Sequence, residues 1–171
     1  NVGSKNKLKR FKENETFTNV FQPTREEVVG NEFPLLGKWN SDFFKNDNPI
    51  IIELGCGKGE YSVGLAERYP EKNFVGIDIK GARMWKGAKQ AFELGLKNVA
   101  FIRTNIELAE LFFQPDEISE IWLTFPDPQM KSARKRLTAT NFIGNYRKYL
   151  KIPGLIHLKT DSNFQYLYTL A

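Results

Sequence analysis

Residues 49–68 read PIIIELGCGKGEYSVGLAER, and the fold hangs on them. Pro49 opens a run of three isoleucines, too short for a helix and apolar enough for a strand buried on both faces. Glu53 to Glu60, ELGCGKGE, then packs three glycines into eight residues. From Glu60 to Arg68 apolar residues recur at helical spacing. The reading is strand, tight turn, helix. The glycines let a ligand approach the backbone, and the helix N-terminus offers free N–H groups.

Working outward, the same alternation repeats. Asn73–Asp78 and Val99–Ile102 read as strands, and Ala82–Leu94 as the helix between them, with Ala82, Trp85, Ala88, Ala91 and Phe92 on one face and Gly95 as its stop. Ile121–Phe125 and Leu155–Lys159 are two more expected strands, with a helix over Asn141–Leu150. Asp161 and Ser162 are expected to cap a final helix. Strands alternating with helices predict an α/β fold, a Rossmann-like, doubly wound, mostly parallel sheet. Right-handed crossovers place all carboxyl ends of the strands on one rim, where such sheets bind ligands. That rim is expected to collect Glu53, Asp78, Asn105, Asp127 and Asp161. Residues 1–30 are polar and read as a basic, partly flexible N-terminal arm, leaving 31–171 as the main domain. Within the latter, segment 31–48, which contains Pro34, Gly37 and Trp39, is expected to pack on the body.

Composition narrows the class. Of 171 residues, 41% are hydrophobic and 26% charged, which is ordinary for a globular domain. No apolar run approaches the length of a membrane span. A lone cysteine, Cys56, forbids an internal disulfide and fits a cytoplasmic protein, and with a single histidine, His157, a zinc site is not expected. Both residues read as structural, not as a nucleophile and its base. The net charge of +5 is unevenly spread. Five cations fall within the first twelve residues, and Lys131, Arg134, Lys135 and Arg136 form a second group. Outside these two segments 16 of the 25 basic residues face 20 acidic ones. Two basic segments on an otherwise acidic body point to a polyanion partner.

The acid at Asp78, 19 residues after the last glycine of the turn, is placed to accept both hydroxyls of a ribose and to repel a 2′-phosphate. Two ligand classes carry such a ribose: nicotinamide dinucleotides and S-adenosylmethionine. The dinucleotide fingerprint is G-x-G-x-x-G, with a pyrophosphate on the helix N-terminus. Here the spacing is G-x-G-x-G, and Glu53 stands two residues before Gly55. A carboxylate there opposes a pyrophosphate but suits a methionine ammonium, which favours the sulfonium cofactor. An oxidoreductase would also need a hydride-site acid that the sequence does not show. A non-catalytic RNA-binding module is the remaining rival.

A second motif, WLTFPDPQMKSARKRL at 122–137, places Asp127 between two prolines and follows it with four cations. Proline fixes φ, so the carboxylate is held ready for a ligand. The cations suit phosphates flanking that ligand.

Together ELGCGKGE, VGIDIK and FPDPQMKSARKRL resemble, in order and spacing, the bacterial tRNA (guanine-N7)-methyltransferases, over roughly residues 30–165. The resemblance implies an S-adenosylmethionine-dependent methyltransferase fold. It implies that Glu53, Gly55, Gly57, Asp78, Asn105 and Asp127 line the cofactor pocket, with Asp127 as the catalytic or base-binding acid. It also implies that Lys131 and Asp161 contact substrate, and that Ala133, Arg134, Lys135, Arg136, Leu137 and Thr138 meet tRNA. Two departures stand out. Gln129 replaces the tryptophan that commonly follows the family's FPDP. The chain also reaches Ala171 without the family's later strands and Thr-x-x-Glu substrate motif, so it is expected to be truncated, with cofactor binding better preserved than turnover.

Overall fold

The computed structural model describes residues 2–124, 144–160 and 163–170. Its centre is a seven-stranded sheet. In chain order the strands are β1 (Val20–Phe21), β2 (Ile50–Leu54), β3 (Asn73–Asp78), β4 (Val99–Arg103), β5 (Ile118–Leu123), β6 (Leu150–Thr160) and β7 (Asn163–Leu170). Across the sheet they run β1-β4-β3-β2-β5-β6-β7. The first six are mutually parallel, and β7 is antiparallel to β6. The order reverses at β2, whose neighbours are β3 on one side and β5 on the other. That reversal opens a crevice at the carboxyl ends of β2 and β5, where α/β sheets bind ligands.

The sheet is accompanied by α1 (Val2–Asn14), α2 (Arg25–Val29), α3 (Glu60–Arg68) and α4 (Gly81–Glu93). Central strands are buried on both faces, as their unbroken apolar sequences require. Ile50, Ile51, Ile52 and Leu54 are all at most 2% exposed. One face is covered by α3 and α4, which meet Ile51, Phe74, Val99 and Phe101. The opposite face is closed by the segment before β2 and by the residues leading into β5 and β6. Trp39, fully buried within a π-helical turn (Trp39–Phe44), packs there with Phe33, Phe44, Phe112 and Phe113. Val28 joins the same cluster from α2, a single turn of helix that Thr24 and Glu27 close with a reciprocal capping box. Glu117 ties the segment to β5: its carboxylate accepts the N–H groups of Gly37 at 3.0 Å and Trp39 at 3.4 Å. Burial pushes this carboxyl up, against the pull of those amides. Segment 31–48 packs on the body as expected, through Phe33, Trp39 and Phe44, although Pro34 itself is exposed.

Before the sheet begins, α1 lies against α4. Polar anchors help to hold it. Glu13 accepts from the Trp85 indole at 2.8 Å, Asn14 donates to the carbonyl of Gly81 at 2.8 Å, and the Arg10 guanidinium sits 4.5 Å over the Trp85 ring. Fixation of this kind leaves no period in the sequence. β1 then adds a parallel edge to β4 that the sequence reading did not contain.

Three expectations need correction. The face that α4 buries is Met84, Gly87, Ala88 and Ala91; Trp85 is half-covered by α1, and Phe92 is 68% exposed. The region expected to be helical over 141–150 shows helix only at residues 144–146, followed by a turn, with Leu150 already opening β6; residues 141–143 lie outside the described residues. Finally, residues 163–170 form β7 and not a capped helix. Antiparallel pairing with β6 satisfies their backbone at the sheet edge, an option invisible to local capping signals. Among the described residues no helix is long and apolar enough to cross a membrane, and no group of three His, Cys, Asp or Glu could hold a metal.

Candidate functional site

The turn between β2 and α3 adopts the geometry its glycines permit. Gly55, Gly57 and Gly59 have φ of 79°, 54° and 75°, in the left-handed region where a Cβ is strained. The N–H groups of Gly55 and Cys56 both donate to the carbonyl of Ile77, at 2.8 and 3.1 Å, so the turn folds over the end of β3. α4 then closes on it backbone to backbone. A Cβ on Gly87 would lie 2.7 Å from the Lys58 carbonyl and 2.9 Å from the Gly59 Cα.

Asp78, the last residue of β3, is built into this turn. Its Oδ2 accepts the N–H of Gly57 at 2.9 Å, and its Oδ1 accepts the N–H of Lys80 at 2.9 Å. The carboxylate is only partly buried, and each oxygen keeps a lone pair for a ligand hydroxyl. One strand further out, Asn105 follows β4 and is exposed on the same rim.

Glu53 differs. It is 4% exposed and lies at the reversal of the strand order. Ser62 of α3 and Thr124, just past β5, both donate their hydroxyls to its carboxylate. Two hydroxyls from neighbouring elements thus hold a buried acid where the strand order reverses. The sequence reading missed Ser62 and Thr124. A hydroxyl in the first turn of α3 and another at the end of β5 were the available signals, each ambiguous until the sheet order placed them beside one acid. Hydrogen bonds to a charged group contribute about 1.5–3 kcal/mol. Thr124→Val is therefore expected to lower the unfolding free energy by about 2 kcal/mol, measured by urea titration. In a Glu53→Gln background the same substitution should cost less than half of that.

Tyr61 stands beside this acid, its ring 5.9 Å from that of Trp122. Burial, reinforced by Glu53, pushes its phenol up to about 12. Trp122 in turn stacks on His157 at 4.5 Å. The His157 Nε2 lies 3.9 Å from Glu120, and this imidazole is the main reason the Glu120 carboxyl falls below its ordinary range. His157 thus has local partners on β5, as a structural strand histidine does.

Cys56 is 5% exposed inside the turn. Burial pushes its thiol well up, and Glu53 and Asp78 push it further, so little thiolate exists at neutral pH. Iodoacetamide is expected to modify native Cys56 far more slowly than the unfolded chain at neutral pH, with the native rate climbing only above the ordinary thiol range. Rapid stoichiometric labelling at neutral pH would contradict this environment.

Of the sequence-predicted residues, the structure brings Glu53, Gly55, Gly57, Asp78 and Asn105 to one rim. Asp127, Lys131, Ala133, Arg134, Lys135, Arg136, Leu137, Thr138 and Asp161 lie outside the described residues. Two carboxylates near the carboxyl ends of adjacent strands, one paired with a partly open glycine turn, form an acceptor set that fits a ribose diol and a cationic amino-acid moiety. The set does not suit a pyrophosphate.

A family model described as "Putative methyltransferase" matches residues 47–171. A curated tRNA (guanine-N(7)-)-methyltransferase of Christiangramia forsetii is 64% identical over 99% of this chain and 77% of its own length. Another, of Bacteroides fragilis, is 57% identical over 96% of this chain, which spans 66% of that relative. Among solved structures, an antibiotic-related methyltransferase superposes with a TM-score of 0.62 at 16% identity, covering 75% of this chain and 65% of that one. A 16S rRNA (adenine(1408)-N(1))-methyltransferase gives 0.57 at 17% identity over 71% of this chain and 55% of its own. These structures are alike in fold, while the two curated relatives match nearly the whole of this chain at far higher identity. The chain belongs to the tRNA (guanine-N(7)-)-methyltransferase family.

Proposed function

We propose that the protein transfers the methyl group of S-adenosylmethionine to N7 of a guanine in the variable loop of tRNA, in the cytoplasm. The observation that carries the cofactor half is the pairing of Asp78 with the Gly57 turn beside the buried Glu53. Asp78 is the acceptor for the ribose hydroxyls, Asn105 borders the adenine end, and the field of Glu53 favours the methionine ammonium. The rigid Ser62–Glu53–Thr124 contacts fix that field before the ligand arrives.

When bound, the cofactor supplies an electrophilic methyl on sulfur, and the purine N7 lone pair forms the new N–C bond as the S–C bond breaks. Guanine N7 carries no proton, so no strong general base is required. The residue needed is an acid that orients the base and offsets the positive charge developing on it. Asp127, between Pro126 and Pro128 and three residues past Thr124, is assigned that role, with Lys131 and Asp161 as further substrate contacts. The stretch from Ala133 to Thr138 is assigned to RNA, its cations positioning phosphates without reading sequence.

The deciding experiment incubates the intact protein with unmodified tRNA and methyl-labelled S-adenosylmethionine, then digests the RNA to nucleosides. Label in 7-methylguanosine supports the reading; label in another nucleoside, or none, overturns it. A variant with Lys131, Arg134, Lys135 and Arg136 all changed to Ala is expected to lose about 3–4 from the log–log salt slope of tRNA binding, while its affinity for S-adenosylhomocysteine stays unchanged. An unaltered slope would remove those residues from the RNA interface.

A further inference from the structure

The N-terminal basic segment plays no part in the site described so far, yet the fold brings it to the rim. A cavity of about 760 Å³ opens between α1 and the start of α4. Lys7 and Arg10 of α1 form one wall. Lys58 of the glycine turn, Arg83 of α4 and Arg103 at the end of β4 line it as well, with Lys80 and Lys86. Among the described residues no carboxylate lines this space.

Several of these cations are held in place. The Arg10 guanidinium lies over Trp85, Arg103 donates to the carbonyl of Ile79 at 3.1 Å, and Lys86 pairs with Glu60 at 2.8 Å. Concentrating like charges in one concavity raises their mutual repulsion, which a polyanion relieves while its counterions are released.

We infer that this groove is a second binding channel for the RNA backbone, in which α1 and the β3–α4 connection grip phosphates beside the cofactor rim. This rests on the tRNA substrate proposed above and extends it to residues other than 131–138. The cofactor itself does not account for the groove, because it is cationic at sulfur and carries no phosphate. The cations come from several different elements, so the fitting ligand carries repeated charges. An anionic membrane is a poorer match: the cations line a concavity, and α1 lacks the broad apolar face with which a helix lies in a lipid surface. Because Ile79 and Lys80 directly follow Asp78, phosphates held here would set the register of the RNA relative to the methyl donor.

The test measures fluorescence anisotropy of unmodified tRNA binding to the intact protein over a series of potassium chloride concentrations. Lys7→Ala with Arg83→Ala is compared with Lys38→Ala with Lys97→Ala, which removes the same charge from exposed sites elsewhere. The groove pair is expected to make the log–log slope shallower by about 1.4–1.8 and the control pair to leave it unchanged. The charge-reversed Lys7→Glu with Arg83→Glu should weaken binding further, with S-adenosylhomocysteine affinity retained as proof of folding. Wild-type binding with equal slopes in both pairs overturns the groove and leaves the tRNA reading intact. Failure of the wild type to bind tRNA overturns both. Groove-dependent capture by phosphatidylserine vesicles, with the tRNA slope unmoved, would reassign the channel to lipid.

Discussion

Asp78→Ala is expected to weaken S-adenosylhomocysteine binding about 100-fold, measured by isothermal titration calorimetry. Two ribose hydroxyls donating to one carboxylate make two charge-assisted hydrogen bonds, each contributing at least about 1.5 kcal/mol. Their joint loss is about 3 kcal/mol, or two orders of magnitude in Kd. The substitution also strips the acceptors from the N–H groups of Gly57 and Lys80, which the carboxylate holds at 2.9 Å each. The turn that shapes the pocket therefore loses its anchor together with its ligand contact. Asp78→Asn should fall between the two, since an amide keeps one acceptor oxygen but turns an NH₂ toward a backbone N–H or a ribose hydroxyl. NAD serves as the control ligand and is expected not to bind. Equal affinities for the wild type and the Asp78→Ala variant would refute the ribose role, and NAD binding would overturn the reading of the glycine turn.

Trp39→Ala is expected to have the largest effect on stability, about 4 kcal/mol, read from urea unfolding monitored by far-UV circular dichroism. The Trp39 ring is fully buried, with Phe21, Phe33, Phe43, Phe44 and Phe113 all within 6.1 Å between centroids. Its indole N–H donates to the Phe112 carbonyl at 2.9 Å. Truncation leaves a cavity among stiff aromatic rings that collapse poorly, and it orphans a buried carbonyl. Trp39→Phe separates these contributions: it retains most of the packing, so a loss of about 1–2 kcal/mol is expected from the carbonyl alone. A Trp39→Ala protein as stable as the wild type would mean that the segment before β2 is not part of the cooperative core.

The residues that make local decisions were legible from sequence. β2, its glycine turn and α3 were readable because an isoleucine run, clustered glycines and a helical period fall within a single short stretch. β3 and β4 were equally clear, and their parallel order followed from the intervening helix. β5 and β6 were found but begun late, and β5 was carried past its end at Leu123; their first residues, Ile118 to Glu120 and Leu150 to Gly154, mix polar or turn-forming residues into strands that only pairing defines. The nature of β7 was not legible, because the backbone of an edge segment takes the state that its neighbour can satisfy.

The same division runs through the site. Sequence alone determined that Glu53 lies near the end, and Asp78 at the end, of consecutive strands, and hence that both stand toward the carboxyl rim, because a parallel sheet with right-handed crossovers allows no other edge. It also determined that the positive charge is gathered into two segments. Only the tertiary structure decided what holds Glu53, since Ser62 and Thr124 lie far apart in the chain and meet through the reversal of strand order at β2. Only the tertiary structure laid α1 across the start of α4 and brought Lys7 and Arg83 to one cavity, because the contacts that fix that helix are an indole, a guanidinium and an amide with no period of their own. Periodic burial is written along the chain; contacts between distant polar groups are created when the sheet assembles.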